Sequence, residues 1–520
     1  MLHVKTALLS VWDKTGVVEL ATTLAELGIV ILSTGGTAKK IKEAGIPLVQ
    51  ISDYTNSKEL LGGRVKTLHP KIHAGLLALR DNQEHMETLR REGIRPIDMV
   101  VVNLYPFRDV IGNDEHSFDT ALAHIDIGGP CMLRAGAKNF KHVAVVSNPH
   151  QYQSIIRELR ESDGTISKET CASLAQEVFE TTSYYDSIIA QYLQQKSRNT
   201  FPQKFSCAFH KAQELRYGEN PHQKAAFYHE WNAPSGSVPT AHKIAGNELS
   251  FNNLLDFEAA RRIAAEFNTF FCVVIKHNNP CGAGEGNSLL EACTRAVAGD
   301  PMSAFGSIVG VNRPLEAQTA KCLAGPDTYI QGIIAPEYTD DALAILKETQ
   351  PWGKRLIILK SEYLMNNTPG FDFRRIAGGL LVQEQDMSTY KQEELQCVTD
   401  REPTPKERLE LDFAWKICKH VKSNAIVLSR DRSIVGVGAG QMSRIDAAHL
   451  AIRKAAERCK GSVMASDAFL PFPDVVDATA MAGVTAIIQP GGSLRDKNSI
   501  EAANRHNMVM LFTGMRHFLH

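Results

Sequence analysis

Short apolar runs, broken by glycines and polar clusters, recur along the whole of this 520-residue chain. In the first 150 residues they alternate with helical patterns. Ala7-Leu8-Leu9-Ser10-Val11 is strand-like. Gly28–Leu32 leads into a glycine turn and a lysine-rich helix, and Met99–Val102 leads into Asn103-Leu104-Tyr105-Pro106. Val143–Val146 is a further strand. Such alternation predicts βα units on a parallel sheet. Ser167 to Gln195 then reads as one long amphipathic helix, with Leu174, Val178, Tyr185, Ile189 and Tyr192 at helical spacing. Lys196–Thr200 is polar and aperiodic, which sets a domain boundary there and divides the chain into 1–200 and 201–520. The second part is again mixed α and β. Two of its stretches echo each other, Val273–Gly284 and Asn424–Gly440, each an apolar strand with polar residues at its end and a glycine-rich turn nearby. The pattern is that of a weakly marked duplicated α/β unit.

Composition narrows the function class. A formal charge of -1 leaves no global basic field for nucleic acid, so any anion must meet a local cluster. No apolar run approaches the ~18 residues of a membrane span. Met1-Leu2-His3-Val4-Lys5 runs straight into a strand and does not read as a signal peptide. The 10 cysteines are scattered with no C-x-x-C pair, so neither a disulfide framework nor a structural zinc site is indicated. The expectation is a reduced, cytoplasmic enzyme that binds small molecules, with no nucleic acid or membrane partner.

Candidate chemistry sits where the apolar runs stop. Phe271–Ile275 reads as a buried strand and ends at Lys276-His277-Asn278-Asn279, followed by Pro280 and glycines. A lysine beside a histidine at a strand end is placed for proton transfer, and burial would make the lysine a usable acid or base. On these residues alone, a strand ending in solvated charge is an equal reading. Ser33-Thr34-Gly35-Gly36-Thr37 precedes a helix, where free N–H groups, the helix dipole and hydroxyls favour an anion. A plain N-cap would use the same residues, and the ending is not that of an ATP loop. In Gly62–Pro70, Arg64 and Lys66 fall on one side of an extended segment, and a binding loop is favoured over an exposed basic edge strand. Gly128-Gly129 opens a helix with Lys138 and Asn139 at its far end, and Asp126 reads first as a capping carboxylate. A zinc deaminase would need a second cysteine three places after Cys281, where Gly284 stands.

Together these strings are more specific than any one alone. With Asp13–Gly16, Asn103–Phe107, Ala137–Asn139, Leu215–Gln223, Ser303–Gly306, Gly332–Pro336, Gly436–Arg444 and Ser466–Phe472, the chain closely resembles, over nearly its whole length, a family of bifunctional purine-biosynthesis enzymes. That family joins an inosine monophosphate (IMP) cyclohydrolase to a 5-aminoimidazole-4-carboxamide ribonucleotide (AICAR) formyltransferase. The resemblance implies an α/β protein with a methylglyoxal-synthase-like parallel-sheet domain. A formyltransferase of two cytidine-deaminase-like halves without zinc follows it. It further implies a homodimer and no tightly bound cofactor, with 10-formyltetrahydrofolate as co-substrate beside AICAR and formyl-AICAR.

The resemblance also assigns residues. For formyl transfer it implies Lys276 and His277 at the proton transfer and Asn424 within hydrogen-bonding reach. Arg216, Tyr217, Asn253, Ser443, Arg444 and Arg516 fall at nucleotide-binding positions, and Phe305, Gly306, Phe469 and Asp474 lie near the folate and the reacting groups. For ring closure it implies Lys66, Tyr105, Asp126 and Lys138, with Lys14, Ser33, Gly35, Gly36, Thr37, Arg64 and Thr67 holding phosphate and ribose. Two positions depart from the family pattern. Trp12 replaces a serine hydroxyl before Asp13-Lys14, and Gln331 stands where an acidic residue is usual. Trp12 favours an alternative, in which a non-catalytic nucleotide-sensing N-terminal domain accompanies a working formyltransferase.

Overall fold

The structure is a computed structural model that describes residues 1–113, 115–197, 200–362, 364 and 368–520. The chain divides into two compact units, Met1–His210 with Glu230–Asn232, and Lys211–His229 with Ala233–His520. The boundary expected at Lys196–Thr200 includes Arg198 and Asn199, which lie outside the described residues.

In the first unit, strands β1 (Thr6–Val11), β2 (Val30–Ser33), β3 (Val49–Gln50), β4 (Met99–Asn103) and β5 (Ala144–Val146) pair in the order β3-β2-β1-β4-β5. Every pairing is parallel, as the alternation predicts. Successive side chains point to opposite faces of the sheet, so each strand feeds two cores. Ala7, Leu9, Met99 and Val101 pack on one side, and Leu8, Val100 and Val102 on the other. Three helices matter below: α1 (Gly35–Glu43), α2 (Gly128–Lys138) and α3 (Lys168–Gln195). Ser167 caps α3 by accepting the Thr170 amide, and Leu174, Val178, Tyr185 and Tyr192 are buried as the spacing predicts. Ile188, rather than the expected Ile189, takes the buried place between the two tyrosines.

The second unit contains the same sheet twice. Its first half comprises β6 (His242–Ala245), α4 (Phe251–Ala264), β7 (Phe270–Lys276), β8 (Asn279–Gly286), α5 (Leu289–Gly299), β9 (Ser307–Val311), β10 (Ile330–Ala335) and β11 (Ile357–Lys360). The second comprises β12 (Gln396–Cys397), α6 (Pro405–Cys418), β13 (Ile426–Ser429), β14 (Ile434–Gly438), α7 (Arg444–Ala455), β15 (Val463–Ser466), β16 (Ala486–Gln489) and β17 (Val509–Phe512). The six-stranded orders are β6-β11-β10-β9-β7-β8 and β12-β17-β16-β15-β13-β14. The match extends to strand direction and to a bulge, at Val274/Ile275 in one half and Leu428/Ser429 in the other. The echo in the sequence is therefore a true duplication of fold. The halves pack through a shared apolar core containing Phe257, Phe271, Val273, Phe413, Trp415 and Val427.

Two candidate active sites

In a parallel sheet, ligands bind beyond the carboxyl ends of the strands. Beyond β1 come Trp12 and Lys14, beyond β2 the first turn of α1, and beyond β4 Tyr105. The first amides of α1 have no partner within the helix and no side-chain cap, and its dipole adds positive potential. Gly35 adopts a left-handed φ of +55°, and a Cβ there would lie 3.5 Å from Lys66 Nζ. A Cβ at Gly36 would lie 3.6 Å from Lys14 Nζ. Two ammonium groups thus stand over one helix N-terminus, the arrangement that suits a phosphate. Lys66 Nζ also lies 3.6 Å from Glu59 Oε2, and Lys14 Nζ donates to the Trp12 carbonyl at 3.0 Å.

The hydroxyls expected to help are committed elsewhere. Ser33 Oγ donates to Leu9 O at 2.8 Å and Thr37 Oγ1 donates to Val11 O at 2.9 Å, and both side chains are buried. Ser33 ties β2 to β1 and Thr37 fastens α1 to β1, so an anion here meets backbone amides and lysines. Thr67 is buried against the first residue of α2, where a Cβ on Gly128 would lie 2.6 Å from its hydroxyl oxygen. Arg64 is exposed on the loop before it.

Asp126 joins this group. Its Oδ1 accepts the Gly129 amide at 2.9 Å, so it does cap α2, and its own amide donates to Tyr185 Oη at 2.9 Å. Burial pushes the Asp126 carboxyl above the usual carboxylate range, against the pull of the Gly129 and Tyr105 amides. The Tyr105 ring meets Trp12 edge to face, with centroids 4.9 Å apart. Asn103 fixes the same loop, accepting the amides of Trp12 and Asp13 at 2.6 and 2.9 Å, a role that no local spacing predicts. Lys138 is the exception. It ends the 11-residue α2, roughly 15 Å along the axis from Gly128, because a helix between parallel strands runs back to the opposite end of the strands. Within one chain it does not join Lys66, Tyr105 and Asp126.

In the second unit, Lys276 closes β7 and His277 and Asn278 form the turn into β8, with φ of 50° and 59°. Lys276 is half-buried, not enclosed as the strand end suggests, and His277 is exposed. Lys276 Nζ donates to Phe305 O at 2.8 Å and Gly306 O at 3.0 Å. The left-handed φ of 72° at Gly306 permits this approach, since a Cβ there would sit 3.3 Å from Nζ. The Phe305 ring, 62 % exposed, leans on Tyr329. Asn279 Oδ1 accepts the Lys422 amide at 3.0 Å, which ties the turn to the approach to Asn424.

Asn424 belongs to a network centred on Asp467, which is buried and was not foreseen. Arg444 is engaged by Asp467, donates to Ser466 Oγ at 3.0 Å and to Asn424 Oδ1 at 2.6 Å, and is nearly buried. It therefore organises the site instead of offering a free cation to the nucleotide. Asp467 also accepts the Ala425 amide and the Ser423 hydroxyl, and its carbonyl accepts the His517 amide at 3.0 Å, which brings the neighbouring Arg516 to the group. Arg516 itself lies over the Phe518 ring, and the loop beyond Asp467 presents Phe469 and Asp474.

Two more assignments change meaning. Asn253 Oδ1 accepts the Ser250 amide and hydroxyl in a capping box that opens α4, and Asn253 is buried. Ser443 caps α7 and donates to Asp446 at 2.5 Å, so its hydroxyl serves the helix. Arg216 and Tyr217 lie in an exposed loop that Asn252 Nδ2 ties to α4 through Glu219 O at 3.3 Å. Cys281 is no thiolate donor: burial pushes its thiol up to about 12. Gly284 is held at its size by packing, because a Cβ would come within 2.7 Å of Ala292 O. Among the described residues no group of three or more His, Cys, Asp or Glu could hold a metal ion.

Comparison with known proteins agrees with this geometry. Residues 136–454 match the family described as AICARFT/IMPCHase bienzyme, and residues 16–131 match the MGS-like domain. A bifunctional purine biosynthesis protein PurH from Ruminiclostridium cellulolyticum is 48 % identical over 518 residues, covering 99 % of this chain and 100 % of its own. The proteins of that name from Persephonella marina and Acetivibrio thermocellus are 48 % and 46 % identical, each aligned over 99 % of this chain and over 99 % and 100 % of their own. A chain in the crystal structure of ForH aligns with 36 % of this chain and 99 % of its own at 33 % identity, with a TM-score of 0.33, too loose to bear on the fold. A parallel-sheet unit with an anion cradle, a twice-built unit with a Lys-His turn, and full-length similarity lead to one conclusion: this chain belongs to the AICARFT/IMPCHase bienzyme family, the bifunctional enzymes of purine biosynthesis.

Proposed function

We propose that Lys276 and His277 carry the formyl transfer of this bifunctional enzyme, from 10-formyltetrahydrofolate to the 5-amino group of AICAR, and that the Lys66–Tyr105–Asp126 group then closes the product to IMP. The observation that carries the first assignment is the Lys276 ammonium, oriented by the Phe305 and Gly306 carbonyls beside His277 at the tip of one hairpin.

The AICAR amine is a poor nucleophile, because its lone pair is delocalised into the imidazole and carboxamide. His277 takes its proton as nitrogen attacks the formyl carbon. The carbonyl oxygen becomes an oxyanion, which the Lys276 ammonium stabilises. When the tetrahedral centre collapses, the folate nitrogen leaves with a proton from Lys276, so one proton is taken and one given. Asn424, held by Arg444, orients the substrate. The reaction needs no redox cofactor; the folate is a co-substrate.

Ring closure joins groups already on one molecule, so orientation supplies much of the rate. The phosphate rests on α1 with Lys14 and Lys66. The carboxamide nitrogen attacks the formyl carbon while Asp126 takes its proton, a task favoured by a carboxyl raised through burial. Water then leaves with a returned proton.

The assembly is a homodimer. In support, the antiparallel hairpin Phe371–Ile376/Gly379–Glu384 leaves Ile376, Leu380 and Leu381 about half exposed, an apolar surface that a second copy would cover. No helix among the described residues is long and apolar enough to cross a membrane, and we assign the enzyme to the cytoplasm.

The test is a two-substrate assay of the whole chain with AICAR and the formyl-folate, following tetrahydrofolate and IMP. Production of both supports the reading; tetrahydrofolate without IMP favours the alternative, a nucleotide-sensing N-terminal unit, to which the indole at Trp12 lends weight. Ring closure of supplied formyl-AICAR at the uncatalysed rate would retire the cyclohydrolase assignment.

A further inference from the structure

Duplication of the fold gives an internal control for the catalytic turn. The β7–β8 turn places His277 and Asn278 in the left-handed region, and the β13–β14 turn does the same with Asp431 and Arg432, at φ of 55° and 54°. These are the primed hairpin turns, which usually employ glycine at a central position. Side chains there are strained and persist only where surrounding contacts over-determine them.

Both turns have such a contact, from equivalent helices. Asp256 on α4 accepts the Asn278 amide at 2.7 Å. With its amide nitrogen facing the helix, the Asn278 side chain donates to Asp256 Oδ1 at 3.2 Å and to Leu255 O at 3.1 Å. Glu410 on α6 accepts the Arg432 amide at 2.5 Å and the Ser429 hydroxyl at 2.9 Å. A carboxylate from the helix before the strand thus holds the second left-handed residue of the turn in each half.

What the turns carry differs. In the second half Glu410 is buried, Arg430 donates to Lys460 O at 3.0 Å and Asp431 pairs with Lys406 at 2.7 Å. That turn is closed upon itself. In the first half Asp256 is only part-buried and lies beside His277 and Lys276.

We propose that Asp256 is a positioning residue for formyl transfer, fixing the turn that aims His277 and Lys276, while Glu410 is its purely structural counterpart. The inference rests on the assignment of Lys276 and His277 above. Without Asp256 the Asn278 amide loses its acceptor and the strained turn can relax. A misplacement of about 1 Å is enough to cost about 100-fold in rate.

The test uses the full chain with both activities measured. Asp256→Ala is expected to lower kcat for formyl transfer about 10- to 100-fold, leaving KM for AICAR within about twofold and ring closure unchanged. Asp256→Asn keeps a carbonyl acceptor for the Asn278 amide and is expected to recover most of the loss. Glu410→Ala is expected to lower Tm while leaving kcat of the folded enzyme within about twofold. Wild-type kcat in Asp256→Ala overturns the proposal, as does an equal loss in Asp256→Asn, or an equal kcat loss in Glu410→Ala. Lys276→Met and His277→Ala separate the two levels. If they retain formyl transfer, the site assignment itself fails; if they lose it while Asp256→Ala does not, only the positioning role fails.

Discussion

Lys276 Nζ lies 2.8 Å from the carbonyl oxygen of Phe305, so the backbone that displays an exposed aromatic ring also sets the direction of the ammonium. An amine held this way has one productive orientation. Lys276→Met should lower formyl transfer by about 100- to 10,000-fold, the usual contribution of a positioned acid or base. Cyclisation of supplied formyl-AICAR should be unaffected. Parallel loss of both activities in a folded variant would show that the two chemistries do not have separate residues.

Asp126 gives ring closure a pH dependence. Its carboxyl is raised by burial and must be ionised to accept a proton, so the rate should fall as pH drops through that raised value. Asp126→Asn should remove this acid limb and slow ring closure about 100-fold or more. A wild-type limb that survives in the variant would assign it to another group.

Trp12 occupies a position beside the phosphate cradle and supports Tyr105 through an edge-to-face contact at 4.9 Å. Trp12→Ser restores a hydroxyl donor, and a hydrogen bond to a charged group is worth about 1.5–3 kcal/mol. KM for formyl-AICAR should therefore fall about 10- to 150-fold. Loss of the aromatic contact, about 0.5–1.5 kcal/mol, should lower kcat severalfold. Steady-state ring-closure kinetics separate the two effects, and an unchanged KM would place Trp12 away from the phosphate.

Glu266 links stability to acid. Burial alone would raise its carboxyl, but hydrogen bonds and charge from His420 and Lys419 bring it from 4.5 down to about 2. His420 is itself held below its ordinary value by burial, so near neutrality the charge facing Glu266 is the Lys419 ammonium at 2.9 Å. A depressed carboxylate stabilises the fold above its unfolded value and loses that contribution as pH falls through the folded one. Between about pH 4.5 and 2 the protein should lose on the order of 3 kcal/mol from this group. Urea unfolding should show this slope in the wild type and a flatter one in Glu266→Gln.

Much of the fold was legible because periodicity reports burial. The runs Ala7–Val11 and Met99–Val102 became central strands of a parallel sheet and Val143–Val146 an edge strand beside them, and Leu174, Val178, Tyr185 and Tyr192 became the buried face of α3. The duplication was only faintly legible, since equivalent strands need equivalent burial and not equivalent residues. The roles of Asp256, Asn103 and Asp467 were not legible, because each acts on backbone groups distant in sequence. Ser33, Thr37 and Ser443 were over-read: a hydroxyl before or within a helix looks alike whether it meets a phosphate or the protein's own backbone or carboxylate.

The amino-acid order alone determined the α/β class, the parallel sheet of the first unit and the Lys-His pair at a strand end, since these follow from local spacing of apolar residues and turn formers. Only the tertiary structure decided which side chains were free to act. It turned Arg444 inward to Asp467, sent Lys138 to the far end of α2 and aimed Lys276 with two carbonyls. The reason is that a polar group's role depends on which partner reaches it first, and those partners come from strands and helices far apart in the chain.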